Sequence, residues 1–546
     1  MDFAIHYRPA INGAPGVLEI PHVRNGARLL VECLYRHGVR HIWGMPGSHS
    51  TYLYDAIYQH GGIETILCRN EQAGTFMADG YARSTGRPGI VCTTAGPGAT
   101  NALTGIAEAF SDSVPVLLIA GQVNHDRIHE SCGRYHEIDL EKIFRPCVRF
   151  AGTVMKTDQI PAMTDAAFDA MVAARPGPAA IMFPQDLMAL PADTAACATP
   201  AELRRRAPSS NLIRRAIERI RQSQRPVILA GGGAVWSGAA QEVEQLAQRL
   251  GCPVVTTLNG KGILDERNPL SLGHGRTRRA RMALSRADLM IAVGCRFTEV
   301  FTASGTIPIP KSLIQIDIDR KQIGINYPAE VGIVGDARTV LRALIPKLVI
   351  QETAWRDIWR HARRAPQLKP QWLIDTLRAQ LPEESVVFAD ASEMGLRIQL
   401  DFPSYAPRTL FYPSNYATLG WGFPASLGGA IGQPDRWTAC VCGDGGFLMA
   451  AQELATAVRY RLRVITVIHN DSSYGAIKAI QQRKHNCHYI DTDLNNPDFI
   501  KLGESFGVPS CRAENAEELV TALRNALRRE GPSLIEVPDQ WRSLRL

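Results

Sequence analysis

The sequence predicts an α/β protein made of three consecutive doubly wound parallel-sheet domains. Three observations carry that prediction. Apolar, β-branched runs of strand length alternate with amphipathic helical runs along the chain. The strand-like runs end in Gly/Pro turns. Polar stretches interrupt the alternation twice. A chain of 546 residues, 45% hydrophobic and 21% charged, is long enough for about three or four domains, each with its own core.

The first unit runs over residues 22–190. "HIWGMPG", "ETILCRNE", "GIVCTTAGPG" and "VPVLLIAGQ" read as strands, with "EQAGTFMADGYARSTG" and "ATNALTGIAEAFSDS" as helices between them. An Arg/Pro-rich stretch near 195–211 reads as a linker. The second unit, 208–348, repeats the pattern from "RPVILAGGGA" through "ADLMIAVGCRF" and "SLIQIDIDR" to "VGIVGDA". "TAWRDIWRHARRAPQLKP" reads as a second connector. The third unit, 370–540, takes its strands from "SVVFADAS", "WTACVCGDGG", "RVITVIHND" and "PSLIEVP". The repetition is one of architecture and not of sequence.

Bulk properties narrow the function. No apolar run approaches the ~20 residues of a membrane span, and the opening "MDFAIHYRPAINGAPG" lacks the apolar region of a secretory signal. Twelve cysteines without a repeating spacing read as reduced thiols in a cytoplasmic protein. The net charge of +7 is mild, and "LRRRAP" and "GRTRRARM" read as solvated surface arginines rather than a nucleic-acid patch; an anionic small ligand stays open.

Two acids carry the strongest chemical signal. In "CVCGDGGFLMAAQELATAVRYRLRVITVIHNDSSYG", Asp444 and Asp471 stand 27 positions apart (471 − 444). "TACVC" reads as a strand, "FLMAAQELATAVRY" as a helix of about four turns and "RVITVIH" as a second strand. A parallel crossover brings both strand ends, and so both acids, to one edge of the sheet, where ligands of such folds bind. Gly445 and Gly446 allow close backbone approach, and a helix start with free N–H groups suits a phosphate. Two carboxylates beside a phosphate repel each other unless a cation sits between them; hard oxygen ligands with a diphosphate favour Mg²⁺.

"GDGG" followed by "NDSSYG" resembles the diphosphate motif of thiamine-diphosphate (ThDP) enzymes, and residues 22–537 as a whole resemble the acetolactate synthase-like group of 2-oxo acid decarboxylases and carboligases. The resemblance implies ThDP and Mg²⁺ as cofactors, with Asp444, Asp471 and the backbone carbonyl of Ser473 as metal ligands. The second residue of the later pair is usually Asn in that family; Asp471 keeps the oxygen. Gly443, Gly445 and Gly446 would line the diphosphate. "CRNEQAGTFMADGYAR" resembles the family's "HEQ" helix and implies Glu71 as the carboxyl that acts on the cofactor's pyrimidine, a role favoured by an apolar setting. "NYATLGWGFPASLGGAIG" implies Leu419 as an apolar wedge under the cofactor, with the carbonyl of Ala417 and the amide of Leu419 on the aminopyrimidine. "TTAGPGATNALTG" places Asn101 near the cofactor. Because the pyrimidine and diphosphate motifs lie on different domains, the resemblance implies active sites shared between subunits of a homodimer or homotetramer.

Departures from the family pattern bear on the reaction. His136, in "CGRYHEIDLE", replaces a Gln of acetolactate synthases and is a candidate acid–base or substrate-orienting group. Ile480 stands roughly where a Trp is associated with larger acceptors. "DASEMG" replaces a Gln-His pair, leaving Ser392 to reach a phosphate. The long C-terminal lid of some relatives is not present in "PSLIEVPDQWRSLRL". "GMPGSHS" resembles the substrate loop of benzoylformate decarboxylase-type enzymes and points to Ser48 and His49, while Thr93 or Thr94 stands where those enzymes bring a histidine. In the middle unit, "LAGGGA", "TTLNGKG", "GCRF" and "IDIDR" resemble FAD-contacting segments; FAD, an ADP-like group held by "GHGRTRRAR", and no ligand are the alternatives. His125, His129, Cys132 and His136, at offsets 0, 4, 7 and 11, would share one face of a continuous helix and could ligate zinc, but Gly133 interrupts that helix.

The expected reaction is therefore decarboxylation of a 2-oxo acid, with transfer of the acyl-anion equivalent to an acceptor carbonyl. A non-ligating decarboxylase of benzoylformate decarboxylase type and a catalytically silent ThDP-fold scaffold are the alternatives. No nucleic-acid or membrane partner is expected.

Overall fold

The computed structural model describes residues 24–128, 133–197, 207–350, 354–361 and 372–539. They form three six-stranded sheets, and every strand pair is parallel. With strands numbered by chain order within each sheet, the first and third sheets run 2-1-3-4-6-5 and the second runs 6-5-4-1-2-3. The inner strands Val116–Gln122, Pro226–Ala230 and Leu289–Val293 are buried throughout. Helices cover both faces of such sheets, which is why these segments read as unbroken apolar runs rather than alternating ones.

The first and third domains are packed as one body. The helix Glu71–Thr85 is buried over nearly its whole length against the helix Gly422–Gly432 of the third domain; a β-carbon on Gly80 would stand 2.0 Å from the Ala425 carbonyl oxygen. One apolar cluster runs from Trp43, Met77 and Ile106 into Phe423, Leu427 and Phe447. Polar ties cross the same boundary. The Arg69 amide donates to both carboxylate oxygens of Glu453, at 2.9 and 3.2 Å. The Tyr460 hydroxyl donates to Thr65 O and accepts from the Leu67 amide. The second domain has its own core.

Two expectations are corrected. The segment after Asp444 is not one helix of about four turns: it comprises a helix Asp444–Leu448, a 3-10 turn Ala451–Glu453 and a helix Leu454–Arg459. The break lets Glu453 turn into the interface with Arg69. The stretch read as a second connector contains the helix Ala354–His361, whose Trp355 and Trp359 are buried in the second domain's core; Trp355 Nε1 donates to Pro226 O at 2.9 Å. Two indoles four positions apart lie on one helical face, and burying them outweighs the polar character of the surrounding arginines.

Candidate active site

The strand Thr438–Gly443 pairs in parallel with Val464–Asn470, Gly443 opposite His469, so Asp444 and Asp471 emerge at neighbouring strand ends as the crossover predicts. Asp444 is buried. Burial, and then the nearby Asp444 charge, push the Asp471 carboxyl up to about 6. Asp471 Oδ1 accepts from the Ser473 amide at 3.1 Å, which turns the chain at the position expected to offer its carbonyl. Sequence reasoning missed Asn496. Its Nδ2 donates to Asp444 Oδ2 at 2.5 Å and to Asn470 Oδ1 at 3.0 Å, while its buried Oδ1 has no hydrogen-bond partner among the described residues.

Gly443, Gly445 and Gly446 lie at this edge with Ser392 and Asp390. A β-carbon on Gly446 would stand 2.1 Å from Asp390 Oδ2, so only glycine fits. Ser392 is the N-cap of the helix Glu393–Asp401, its Oγ accepting from the Gly395 amide, and it faces Gly443. Asp390, also missed, is fully buried and accepts from the amides of Gly420 and Gly422 at 3.1 and 2.8 Å. It thereby fixes the loop on which Ala417 adopts φ +56° and the apolar side chain of Leu419 is left 37% exposed.

A buried ionic knot holds the same loop from the first domain. Arg83 meets Asp79 (Nε–Oδ1 2.6 Å), Asp112 (Nη1–Oδ2 2.9 Å) and Glu108 (Nη2–Oε1 3.6 Å). Each carboxylate reaches on to the third domain. Asp79 accepts from Trp421 Nε1. Asp112 accepts from the Ser414 and Asn415 amides. Glu108 Oε2 accepts from the amide and hydroxyl of Thr418 at 3.2 and 2.8 Å. Three carboxylates against one guanidinium cannot all ionise in such a setting. Burial, then Asp112, raise Glu108 to about 8.

In the first domain, Glu71 opens its helix and is buried. Asn101 Nδ2 donates to its Oε2 at 3.0 Å, and Oε1 lies against Gly98. The two residues predicted from separate motifs therefore meet. Ser48 and His136 also converge, with His49 between them. Ser48 Oγ and His49 Nδ1 are 3.1 Å apart. The His49 and His136 rings stand 5.4 Å apart, and Tyr135 stacks on His136 at 3.8 Å. His136, at φ +65°, packs over Gly96, two residues from the Gly98 that touches Glu71. Burial and then His136 hold the His49 imidazole below its ordinary value, so it is neutral at pH 7. Thr94 hydrogen-bonds the His49 amide, at 3.4 Å.

Of the four residues of the zinc alternative, His125 Nδ1 pairs with Asp186 Oδ2 at 2.6 Å, and His136 packs beside His49 and over Gly96. His129 and Cys132 lie outside the described residues.

A second cavity opens where the middle sheet's strand order reverses, between Pro226–Ala230 and Leu289–Val293. It encloses about 830 Å³, its open mouth included, and is lined by Gly232, Gly233, Asn259, Arg276, Arg296 and Asp317 among others. Burial, then Arg296 and Arg149, push the lining Arg175 down to about 9, so cations crowd this wall. Burial raises Asp317 to about 6.

Against known proteins, the chain matches the families described as thiamine pyrophosphate enzyme, N-terminal TPP binding domain (residues 24–143), central domain (213–344) and C-terminal TPP binding domain (392–537). It is 34% identical to a probable acetolactate synthase large subunit of Methanocaldococcus jannaschii (94% of this chain, 91% of the relative). It is 33% identical to the acetolactate synthase isozyme 3 large subunit of Escherichia coli (92% of each). It is equally similar, at 34%, to a probable 2-ketoarginine decarboxylase of Pseudomonas aeruginosa (93% of each).

Proposed function

The chain belongs to the thiamine pyrophosphate enzyme family, and on that premise we propose that it decarboxylates a small 2-oxo acid and transfers the resulting acyl-anion equivalent to an acceptor carbonyl, as an acetolactate synthase-like carboligase. The observation that carries this reading is the arrival of Asp444 and Asp471 at adjacent strand ends. The donor set fits Mg²⁺: two carboxylates, a turn that offers the Ser473 carbonyl, and the orphaned Asn496 Oδ1 beside Asp444. Asp444, Asp471 and Ser473 would hold the ion, and Gly443, Gly445, Gly446 and Ser392 would line a diphosphate.

Bound ThDP supplies a carbon nucleophile for the substrate carbonyl and a sink for the charge left when CO₂ departs. The protein's part is placement and proton control. Glu71, held by Asn101, would present a carboxyl to the pyrimidine nitrogen. Ala417 and Leu419, fixed through Asp390 and Glu108, would clamp the aminopyrimidine. Ser48, His49 and His136 would handle protons at the reacting carbon; the neutral His49 imidazole can take one and, once imidazolium, give it back.

The active site in this reading is shared between two copies of the chain. The chain's own Leu419 loop is bound to Asp79 and Arg83, 8 and 12 residues along the helix from Glu71, which is about 12 to 18 Å at about 1.5 Å per residue. That separation supports a reading in which Glu71 serves a partner's cofactor. Exposed apolar side chains at Tyr416, Leu419, Met449 and Ile477 supply a surface for that partner. A homodimer is the minimum, and a homotetramer extends it. A cytoplasmic location belongs to the same reading and rests on the cysteine usage; no helix among the described residues is long and apolar enough to cross a membrane.

The middle cavity in this reading takes a dinucleotide or ADP-class group such as FAD, supported by the strand reversal, the Gly232–Gly233 turn and the crowded arginines. A second reaction, release of an aldehyde without ligation, is favoured by the His49–His136 pair and by the likeness to a decarboxylase. Incubation with pyruvate, ThDP and Mg²⁺, followed by a panel of 2-oxo acids scored for CO₂, separates the readings: acetolactate supports ligation, an aldehyde supports simple decarboxylation, and no CO₂ from any member refutes both.

A further inference from the structure

A set of donors remote from the strand-end acids is unused by the reaction. Cys33 and His37 stand four positions apart at the end of the helix Gly26–Arg36, His37 being its C-cap, so both face one side. That side meets Asp165 of the helix Ile160–Val172 and Cys197, the last described residue before the passage into the second domain. His37 Nε2 lies 2.7 Å from Asp165 Oδ1, and the ring is stacked on Phe168 at 4.1 Å and 15°. The ligating atoms of His37, Asp165 and Cys197 all lie within 4.8 Å of one another. Cys33 stands beside these three, outside that mutual distance: its Sγ accepts from the Cys197 amide at 3.2 Å. Arg36 Nη1 holds the Cys197 carbonyl at 2.8 Å, fixing the segment that brings the second sulfur. Both cysteines are buried.

We propose that Cys33, His37, Asp165 and Cys197 form a structural zinc site that ties the end of the first domain to its opening helix. Two sulfurs, one imidazole and one carboxylate make a four-coordinate donor set of the kind Zn²⁺ takes. Zinc lies about 2.3 Å from sulfur and about 2.0–2.2 Å from nitrogen and oxygen, which puts tetrahedral ligand atoms roughly 3.3–3.8 Å apart. To reach that spacing the His37–Asp165 pair, at 2.7 Å, opens slightly, and both sulfurs, Cys33 the further of the two, turn inward by side-chain torsion. Two thiolates and a carboxylate leave the complex at −1, and the Cys197 amide stabilises the Cys33 sulfur as an outer-shell donor. The half-exposed Asp165 gives the ion its way in. Neither a histidine nor an acid is needed for a bare thiol pair, and a thiol pair is not needed for a His–Asp ion pair; their convergence from three separate segments is what the metal explains.

The test uses the full-length reduced protein, freed of metal and titrated with Co²⁺ and then Zn²⁺ alone. Cobalt should produce a thiolate-to-metal charge-transfer band with tetrahedral visible bands at one ion per chain, and zinc should displace it. Cys33→Ser and Cys197→Ser should each abolish the charge-transfer band or shift and weaken it. His37→Gln, at the rim of the helix, should weaken cobalt binding at least tenfold and keeps the test open where a serine variant does not fold. Absence of the cobalt spectrum in the parent overturns the proposal, as does a spectrum unchanged in all three variants. A Cys33–Cys197 disulfide in protein isolated without thiol reagent and mapped by peptide mass also overturns it.

Discussion

Glu108→Gln perturbs one proton in the buried knot and little else. Glu108 is fully buried, and that burial, then the neighbouring Asp112, raises its carboxyl from 4.5 to about 8 beside an Arg83 already met by Asp79 and Asp112. Because the folded-state value lies above the unfolded one, the group's contribution is present in full below pH 4.5 and is lost as pH rises toward 8. At about 1.4 kcal/mol per pH unit, the whole interval is worth on the order of 4–5 kcal/mol, of which about 3 kcal/mol falls between pH 5.5 and pH 8. Gln removes the titration and keeps an amide oxygen for the Thr418 amide and hydroxyl. The variant should match the parent near pH 5.5 to within about 1.5 kcal/mol and exceed it by about 3 kcal/mol more at pH 9. Urea unfolding of both proteins across pH 5.5 to 9, followed by tryptophan fluorescence, reads that widening gap, with Trp421 beside the knot as a local probe. Parallel pH profiles would refute the assignment of a shared proton to this knot.

Other substitutions test the reacting groups. Glu71→Gln should lower turnover on the order of 10²–10³-fold while ThDP still binds by calorimetry; turnover near the parent's removes Glu71 from its role. Asp471→Ala should abolish Mg²⁺-assisted ThDP binding while Asp471→Asn keeps most of it. In the parent, Mg²⁺ affinity should fall up to about tenfold per pH unit below about 6, as protons compete for Asp471; a flat profile from pH 7 to 5 contradicts this. His49→Gln should change the ratio of aldehyde to ligated product more than it changes CO₂ release, measured on the same reaction mixture, and an unchanged ratio removes the imidazole from proton delivery. Arg175→Ala together with Arg296→Ala should strip bound nucleotide from the middle cavity, read as lost flavin absorbance or lost nucleotide in the denatured supernatant; retention of the full complement places the nucleotide elsewhere.

The fold was legible because parallel sheets covered on both faces leave long apolar strands and because each strand end carries a Gly-rich turn. The convergence of Asp444 and Asp471 was legible for the same reason: each lies just past a strand, where crossover geometry dictates the edge, whereas Asn101 entered only through the family resemblance. Asn496 could not. It lies 25 residues beyond Asp471 (496 − 471) and returns to the site only through a loop pairing, Leu494 N to Ser472 O. Asp79, Glu108 and Asp112 read as ordinary polar positions of two helices; nothing in sequence says that all three turn toward one arginine across a domain boundary. The break after Leu448 was hidden because Met-Ala-Ala-Gln favours helix by propensity, and the interface overrides it. The helix bearing Trp355 and Trp359 carried a usable signal, an aromatic pair spaced by four, that the surrounding arginines obscured.

The contact between Arg69 and Glu453 has a consequence for how such a molecule can be altered. Glu453 follows Asp444 by nine positions (453 − 444), and its carboxylate receives the amide two residues ahead of Glu71. If the proposed roles hold, the acid lent to a neighbour's vitamin and the cradle for the chain's own are mounted on the same stiff bracket. On that reading, whoever re-engineers one of the paired reaction centres will retune the other as well.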